Sequence, residues 1–418
     1  MPRVSHSRCF GSRKSHHGGF PSHLQCLTGK NSRNGGALGE HDRGRTTVST
    51  SLPKILVTGA VGKTGAAVVA QLRERNYPVR ALVRKRDARS ARLESLGAEI
   101  AIGDLYDYES LATVTRGTQR AYYCPPMGPY LLASATAFSL AAREAGLESI
   151  VNVSQWTASP SHPSILTRQH WLADKLFGQL PNIAHTIVAP GYFADNYLRL
   201  IDFASLLGVF PVLTGSSRNA PPSNEDIARV AVAALMAPER HDGKRYRPTG
   251  PVLLSAYDMA SIVAKVLRHR VLALPLPFWM FQRAARLQGV DSFSLASLRF
   301  YLRDHVAGAF AVDAPNDDVL ETTGRPAEDF ETIARRYAAM AFARPTLANR
   351  LRALANFALV PFVPGYNFEE RARRQLEPSP VNAMQCMDSQ RWRAEHDPRI
   401  RHATNGAAFD ATGEVAAR

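Results

Sequence analysis

The feature that most constrains the fold is a glycine-rich run, VTGAVGKTG at positions 57–65, which follows apolar residues and leads into a helical pattern. A strand, a glycine turn and a helix in this order bring backbone N–H groups and the positive end of a helix dipole against a pyrophosphate. Gly59 permits the tight turn, Gly62 lets the backbone approach the phosphates, and Gly65 lets the helix pack closely. The run therefore predicts a nucleotide-binding βαβ unit, with GxxGxxG in place of the GxGxxG spacing.

The same run is similar to the end of a Walker P-loop, because Gly62, Lys63 and Thr64 follow each other. A P-loop also needs a glycine five residues before Gly62, and Val57 stands there, which disfavours an ATPase. We therefore expect dinucleotide contacts from this run. The residues expected to make them are Thr58, Gly59, Val61, Gly62, Lys63, Thr64 and Gly65.

From Lys54 onward strand and helix patterns alternate, which is typical of a parallel sheet with helices on both faces. The predicted strands are 54–58, 79–83, 99–102, 120–124, 149–154 and 185–189. The predicted helices between them are 65–75, 88–96, 108–115, 131–145 and 168–178. This pattern predicts an α/β fold with a Rossmann-like, doubly wound parallel sheet.

The end of the second strand indicates which dinucleotide binds. An NAD site places an acidic side chain near the ribose 2′-OH, whereas a 2′-phosphate calls for arginine. Here the strand is followed by Arg84, Lys85 and Arg86, with no acid before Asp87. Arg84 and Lys85 are therefore predicted to bind the 2′-phosphate, so that NADP(H) is preferred over NAD(H). A solvated basic turn is the alternative.

Two further strand ends are expected near the cofactor. Asp104 and Leu105 follow the third strand, where Asp104 is expected either to accept from the adenine amino group or to cap a helix. Pro125 follows the fourth strand and directs the chain over the sheet edge, near the ribose and nicotinamide.

Several motifs of the chain resemble those of a known family. The run TGAVGKTG, the Val-Arg after strand two, the Gly-Asp-Leu after strand three and the Pro-Pro after strand four are similar to the NmrA-like branch of the atypical short-chain dehydrogenase/reductases. The resemblance continues through HWLADK at 170–175, PGYFADN at 190–196, NEDIA at 224–228 and GRP at 324–326. It covers about residues 54–342 and implies an NAD(P)-binding Rossmann fold.

The resemblance also implies a catalytic set. Reductases of the wider superfamily pair a tyrosine with a lysine four residues later and with a serine that ends the preceding strand. Ser154 and Lys175 match the serine and the lysine, but Trp171 stands at the tyrosine position. An indole N–H does not release a proton near neutral pH. We expect His170 or Lys175 to act as the acid, or a quinone to accept hydride and take its proton from water. Ordinary packing is the alternative for Trp171 and His170.

Beyond the sheet, Pro190, Tyr192 and Phe193 follow strand six and are expected to line the nicotinamide and substrate pocket. The Leu- and aromatic-rich stretch 272–303 corresponds in relatives to a smaller helical lobe over the substrate, which implies an apolar or aromatic ligand. Core packing explains the same residues equally well. The stretch 245–254 is predicted to be a short strand pair around Gly250.

The chain is expected to have four parts: a disordered leader at 1–53, an NAD(P)-binding domain at 54–250, a smaller, mostly helical C-terminal lobe at 251–345, and a tail at 346–418. In the tail, residues 347–359 have apolar residues at helical spacing. Docking on the body is favoured for this helix, with a partner, such as a second copy, or a membrane surface as alternatives. Disorder is expected beyond Glu377.

The formal charge of +15 is divided unevenly, with +6 in residues 1–53, +3 in residues 344–418 and +6 in the body between them. A specific nucleic-acid partner is therefore not expected. The four cysteines form no CxxC pair, so no metal site is predicted and a cytoplasmic location is expected. The longest apolar stretches are too short to span a bilayer.

Two functions are compatible with these sequence features. The first is an NADPH-dependent oxidoreductase that transfers hydride to a quinone or another conjugated, aromatic acceptor. The second is a non-catalytic NADP(H)-binding redox sensor that acts through a partner, which the tryptophan at the tyrosine position motivates.

Overall fold

The computed structural model describes residues 52–374 and 383–401, and a parallel sheet lies at its centre. The strands are β1 (Ile55–Val57), β2 (Val79–Val83), β3 (Glu99–Ile102), β4 (Arg120–Tyr123), β5 (Ser149–Val153), β6 (Ala184–Val188), β7 (Val209–Val212), β8 (Arg218–Asn219), β9 (Arg245–Tyr246), β10 (Leu254–Ser255) and β11 (Leu272–Pro275). Seven of them form the main sheet in the order β3-β2-β1-β4-β5-β6-β9. The order reverses between β1 and β4, so a crevice opens there at the carboxyl edge of the sheet.

Helices cover both faces of this sheet and form most of the lobe beside it. The first nine are α1 (Lys63–Glu74), α2 (Ala88–Ser95), α3 (Tyr108–Thr115), α4 (Leu131–Glu144), α5 (Ile165–Phe177), α6 (Ala194–Leu198), α7 (Ile201–Leu207), α8 (Asn224–Met236) and α9 (Pro238–His241). The others are α10 (Ala256–Leu267), α11 (Phe278–Leu287), α12 (Ser292–Val306), α13 (Asp318–Thr323), α14 (Phe330–Ala338), α15 (Leu347–Leu359), α16 (Phe368–Arg374), α17 (Gln390–His396) and α18 (Pro398–Arg401).

Alternate residues of each central strand enter opposite hydrophobic layers, because successive side chains of a strand point to opposite faces. Ile55 and Val57 lie in the layer that α1 and α8 cover. Leu56, between them, lies in the layer that α3, α4 and α5 cover. Both faces are buried, which is why these strands consist of consecutive apolar residues.

The smaller lobe has its own aromatic core, and it draws on residues from both sides of the predicted boundary at residue 250. Tyr192, Tyr197 and Phe210 come from before that boundary, whereas Phe310 and Phe330 come from beyond it. The chain therefore leaves the main sheet after β6, contributes to the lobe, and returns to the sheet through α8 and β9.

The six predicted strands and five predicted helices are confirmed to within three residues at each end. The strand pair predicted at 245–254 is wrong. Arg245 and Tyr246 instead extend the main sheet, parallel to β6, while Leu254 and Ser255 pair antiparallel with β8. Two-residue strands carry no periodicity, so the sequence could not indicate their partners.

The expectation of disorder beyond Glu377 is also wrong for residues 383–401, which fold onto the body. Cys386 and Trp392 are buried in the lobe core, and α17 begins with Ser389 as its cap. A few apolar residues in a polar segment are enough to dock it. Residues 1–51, 375–382 and 402–418, including most of the predicted leader, lie outside the described residues.

Candidate cofactor and active site

The glycine turn between β1 and α1 has a shape that only glycine permits at two positions. Gly59 has φ +60°, and a Cβ on it would lie 2.5 Å from the carbonyl oxygen of Cys124 at the end of β4. A Cβ on Gly65 would lie 2.3 Å from the carbonyl oxygen of Gly59. Both contacts are far shorter than van der Waals distance, so the turn, the first helix and β4 approach each other through these glycines.

Gly62 opens the first helix and leaves its N-terminus accessible. It is the N-cap residue of α1, makes no side-chain capping bond, and is followed by no acidic residue in the first turn. A Cβ on Gly62 would meet only the Gly59 carbonyl oxygen, at 3.1 Å, so its other side is open. Unsatisfied N–H groups and a positive helix end without a competing carboxylate fit a pyrophosphate.

The side chains of the same run are directed to protein groups. Thr58 is buried and its hydroxyl oxygen accepts a hydrogen bond from the Cys124 N–H at 2.8 Å. Thr64 donates to the Asn224 side chain at 2.9 Å, which ties α1 to α8. Val61 packs against the hydrophobic layer on that side of the sheet. A phosphate at this turn would therefore meet backbone groups.

Lys63 links the turn to the smaller lobe. Its ammonium donates to the Asp195 carboxylate after β6 and lies 3.4 Å from the Tyr337 hydroxyl on α14. Tyr337 also donates to Asp195, and Arg199 forms a 3.0 Å ion pair with the same carboxylate. Burial raises the pKa of Asp195, but the bonds from Lys63 and Tyr337 and the charge of Arg199 outweigh burial and hold this pKa below its usual value.

Arg84 and Lys85 are exposed at the end of β2, where an adenosine ribose would lie. The neighbouring Arg86 is bound to Glu94 at 2.9 Å, and Asp87 caps α2. Arg84 lies near Tyr106: burial raises the pKa of that phenol and the Arg84 charge opposes the increase. The structure thus brings an exposed guanidinium within electrostatic range of the Tyr106 phenol at the predicted adenine end.

Asp104 lies in the same region and does not cap a helix, because Asp107 occupies the N-cap position of α3. One carboxylate oxygen of Asp104 accepts from the Tyr106 N–H at 3.0 Å. The side chain is exposed, so it has acceptor capacity left for an amino group. Leu105 packs against the layer under α3, and Pro125 is half-buried beyond β4.

Ser154, at the end of β5, belongs to a buried polar network centred on Asp174. Ser154 donates to Asp174 at 2.6 Å, Asn152 donates to its other oxygen at 2.8 Å, and Arg245 donates at 2.9 Å. The Ser154 proton is therefore directed at a carboxylate, and these contacts do not support a role for it in polarising a substrate carbonyl.

His170 lies on the buried face of α5, one turn before Asp174. Burial lowers its pKa to about 4, with the nearby Asp174 opposing and Arg245 adding to this effect. The imidazole is therefore neutral at neutral pH, and the geometry does not support the predicted role of His170 as an acid there.

Lys175 and Trp171 lie together on the outer face of α5. The Lys175 ammonium is 5.5 Å from the centroid of the indole ring, and its side chain is exposed. A second cation reaches the same ring: the Arg391 guanidinium of α17 is 5.6 Å from its centroid. The segment 383–401 therefore contacts the helix that carries the predicted lysine.

The residues after β6 are mostly buried. Pro190 is buried, Phe193 is the half-buried N-cap residue of α6, and the Tyr192 ring lies 5.0 Å from that of Tyr197 in the lobe core. Burial raises the pKa of Tyr192 to about 12, so its hydroxyl stays protonated at neutral pH. Tyr192 acts here as a core aromatic residue.

Three residues of metal-ligating type meet where the tail docks, although no spacing in the sequence indicated it. Side-chain atoms of His162, Asp304 and Cys386 lie within 4.8 Å of one another. Ser164 N–H donates to His162 Nδ1 at 3.0 Å, so the proton is on Nε2, which lies 2.8 Å from Asp304. A metal on Nε2 would need the opposite tautomer. The cluster therefore consists of hydrogen-bonded residues that hold the tail segment on the body.

Sequence reasoning missed the charged and polar residues that organise the site, namely Asp174, Asp195, Arg245 and Tyr337. Asp174 had one usable signal, because it follows His170 by four residues on the apolar face of α5. The other three come from α6, β9 and α14, and the groups that they contact are far away in the chain. No helix in residues 52–374 or 383–401 is both long and apolar enough to cross a membrane.

Comparisons with known proteins bear on the family and the fold. The model of the NmrA-like family matches residues 52–295. An NAD(P)H azoreductase from Xenophilus azovorans is 31% identical over 291 residues, which cover 68% of this chain and 98% of that protein.

Two solved structures show the same fold. One is an NADPH-dependent quinone oxidoreductase from Escherichia coli complexed with NADPH, with TM-score 0.58 and 22% identity over 68% of this chain and 99% of that one. The other is NmrA, a negative transcriptional regulator in complex with NADP, with TM-score 0.55 and 16% identity over 68% of this chain and 95% of that one. At these identities the likeness shows the fold alone.

Proposed function

The chain belongs to the NmrA-like family, and we propose that it is an NADPH-dependent oxidoreductase that transfers hydride to a quinone or another conjugated acceptor. The main observation that supports this proposal is the identity of Trp171. It stands at the tyrosine position of the Tyr-xxx-Lys pair, and an indole cannot protonate an alkoxide. An acceptor that forms a stable anion on reduction needs no acid from the protein.

The cofactor contacts are assigned to the turn and to the basic end of β2. The open backbone at Gly62 and the N-terminus of α1 hold the pyrophosphate. Arg84, with Lys85 beside it, binds the ribose 2′-phosphate, and Asp104 accepts from the adenine amino group. When bound, a reduced nicotinamide supplies a hydride, which is two electrons and one proton.

Lys175 is the residue assigned to the reaction itself. Its ammonium is exposed beside Trp171, where it holds the nicotinamide ribose and stabilises the negative charge that develops on the acceptor. The anion then takes its proton from water. Ser154 and His170 position the helix through Asp174 and the buried face of α5.

The acceptor class follows from the same residues and from a relative. The azoreductase is named for an azo group, which is a conjugated, electron-poor acceptor. Quinones share that property, and an apolar aromatic ligand suits the Tyr- and Phe-rich lobe. Simple ketones are poor candidates because their reduction produces a strongly basic alkoxide.

A non-catalytic NADP(H)-binding regulator is the second candidate. The same tryptophan favours it, since a protein that only senses the cofactor has no use for a proton donor. The fold it shares with a negative transcriptional regulator is compatible with this function but does not argue for it.

One experiment separates the two. Purified full-length chain is mixed with NADPH and a panel of a benzoquinone, a naphthoquinone, an azo dye and an aliphatic ketone, and NADPH oxidation is followed by absorbance. Oxidation with the conjugated acceptors and none with the ketone supports the oxidoreductase. Calorimetric NADPH binding without oxidation by any acceptor supports the regulator, and absence of binding rejects both.

A further inference from the structure

Helix α15 has an unusual distribution of polarity. Its inward positions, which are spaced four, three and four residues apart, are Asn349, Ala353, Asn356 and Val360. Asn349 donates to the carbonyl oxygens of Ala341 and Arg344 at 3.0 and 2.9 Å, while Ala353 and Val360 are the buried apolar residues on this side. The side that faces the body therefore carries two amides and only two apolar residues, so most of the large apolar side chains of the helix lie elsewhere.

The outward side is apolar and continues onto neighbouring segments. Its exposed large residues, with exposed fractions in parentheses, are Leu347 (74%), Leu351 (58%), Leu354 (53%), Phe357 (52%) and Leu359 (49%). Phe362, just after the helix, is 83% exposed, and Trp279 on the adjacent α11 is 54% exposed. Exposed apolar residues that are contiguous in this way mark an interaction surface.

The charged residues of α15 and α11 are all arginines. Arg350 and Arg352 flank the leucines, and neither α15 nor α11 contains an acidic residue. Arg283 and Arg286 of α11 bind the carbonyl oxygens of Pro361 and Pro364 at 3.0 Å, which holds Phe362 in place. Burial raises the pKa of the half-buried Asp202 of α7, and the charge of Arg352 opposes that increase.

From this arrangement we propose that the outward face of α15, together with Phe362 and Trp279, binds the surface of an anionic lipid bilayer. Leucine and phenylalanine side chains enter the boundary between headgroups and acyl chains, while the flanking arginines pair with lipid phosphates. Trp279 has the amphipathic ring that favours this depth.

A second copy of the chain fits this face less well. A two-fold contact through this face would place Arg350 and Arg352 of both copies in one interface, with no acid on either helix to neutralise them. An anionic bilayer supplies the missing charge. The proposal concerns a surface separate from the cofactor site and does not depend on the proposed function.

The test uses full-length protein and sedimentation with vesicles of phosphatidylcholine, with or without phosphatidylglycerol. We expect binding to the anionic vesicles, reduced by salt, and a blue shift of tryptophan emission that Trp279→Phe removes. Leu351→Glu with Leu354→Glu should weaken binding at least about tenfold. Replacing Arg350 and Arg352 by glutamine should weaken it about fivefold per residue.

The matched control is Leu140→Glu, at an exposed leucine of α4, which should bind vesicles like the parent. Circular dichroism and NADPH affinity verify that the α15 variants are folded. Equal binding by the parent and the Leu351/Leu354 variant would overturn the proposal. Absence of vesicle binding by the parent would also overturn it. This holds if light scattering shows a monomeric parent, and equally if it shows a parent dimer that the Leu351/Leu354 variant dissociates.

Discussion

Ser154 donates a 2.6 Å hydrogen bond to Asp174, so the serine at the end of β5 is bound to the residue directly before Lys175. This bond, together with those from Asn152 and Arg245, fixes the rotation of α5 about its axis. Asp174 and the buried His170 then lie on the inner face, and Lys175 and Trp171 lie on the outer face.

Replacement of Asp174 should be strongly destabilising. Asp174→Ala leaves the Arg245 charge and the Asn152 amide without their buried acceptor, and loss of one partner of such a pair costs about 3–5 kcal/mol. Urea denaturation measures this loss. The control Glu94→Gln breaks an exposed ion pair with Arg86 and should cost less than about 1 kcal/mol. Similar losses for both variants would contradict the network's importance.

Arg84 should decide cofactor preference. Arg84→Ala removes a charged donor to the 2′-phosphate, which is worth about 1.5–3 kcal/mol, so the NADPH dissociation constant should rise about tenfold or more. NADH affinity should change little because it has no 2′-phosphate. Calorimetry measures both constants. Arg86→Ala, at an arginine already paired with Glu94, is the matched control, and equal effects of the two variants would argue against this assignment.

Trp171→Tyr restores the Tyr-xxx-Lys pair and tests why the acceptor is conjugated. General acid catalysis contributes about a hundredfold or more, so ketone reduction should increase by at least about tenfold. Quinone reduction, which needs no acid, should stay within about threefold. Trp171→Phe controls for the lost indole. Steady-state kinetics with both acceptors give the ratio, and a parallel change with quinone and ketone would count against the mechanism.

Stability should decrease in mild acid because of three buried histidines. Burial lowers the pKa of His170, His185 and His305 from 6.5 to about 4. The unfolded chain therefore takes up protons below about pH 6.5 that the folded chain refuses until about pH 4. The free energy of unfolding should fall as pH decreases through this window, by roughly 2 kcal/mol per histidine at about pH 5.

Urea denaturation at several pH values measures this dependence. His305→Gln removes one of the three groups, so its profile should be less steep than that of the parent. A parent protein whose stability does not change between about pH 7 and about pH 5 would contradict the burial of these side chains.

Trp392 should hold the segment 383–401 on the body. Its ring is buried in the lobe core and stacks on His396 at 4.5 Å. Trp392→Ala should cost about 3–5 kcal/mol and open this segment to proteolysis. Trp279→Ala, at an exposed tryptophan, should cost less than about 0.5 kcal/mol. Unchanged protease resistance of the Trp392 variant would show that other contacts hold the segment.

Much of the fold could be predicted because its signals are local. The central strands are buried on both faces and consist of consecutive apolar residues, and the turn at Gly59 needs a residue without a Cβ. Ser255 and Asp258 form a capping box three residues apart, and α10 begins there. The partner of β9 and the tail helix α17 were missed because two strand residues or one tryptophan carry no periodic pattern.

The candidate site could be predicted only in part. The residues at the ends of β2 and β3 were placed correctly at the sheet edge, because consecutive strands of a parallel sheet end on the same side. The inward face of α5 could not be predicted, because helical spacing alone does not say which face packs against the sheet. Ser154 meets Asp174 because burial of His170, Ala173 and Phe177 turns that face to β5.

The amino-acid sequence by itself determined the sheet, the turn and the identity of the residue at the tyrosine position, because each depends on neighbours within a few residues. Only the tertiary structure decided which charges meet. Arg245 reaches Asp174 across 71 residues, and Tyr337 reaches Asp195 across 142. Such pairs form when separate elements pack against one another, and no local propensity encodes their distance.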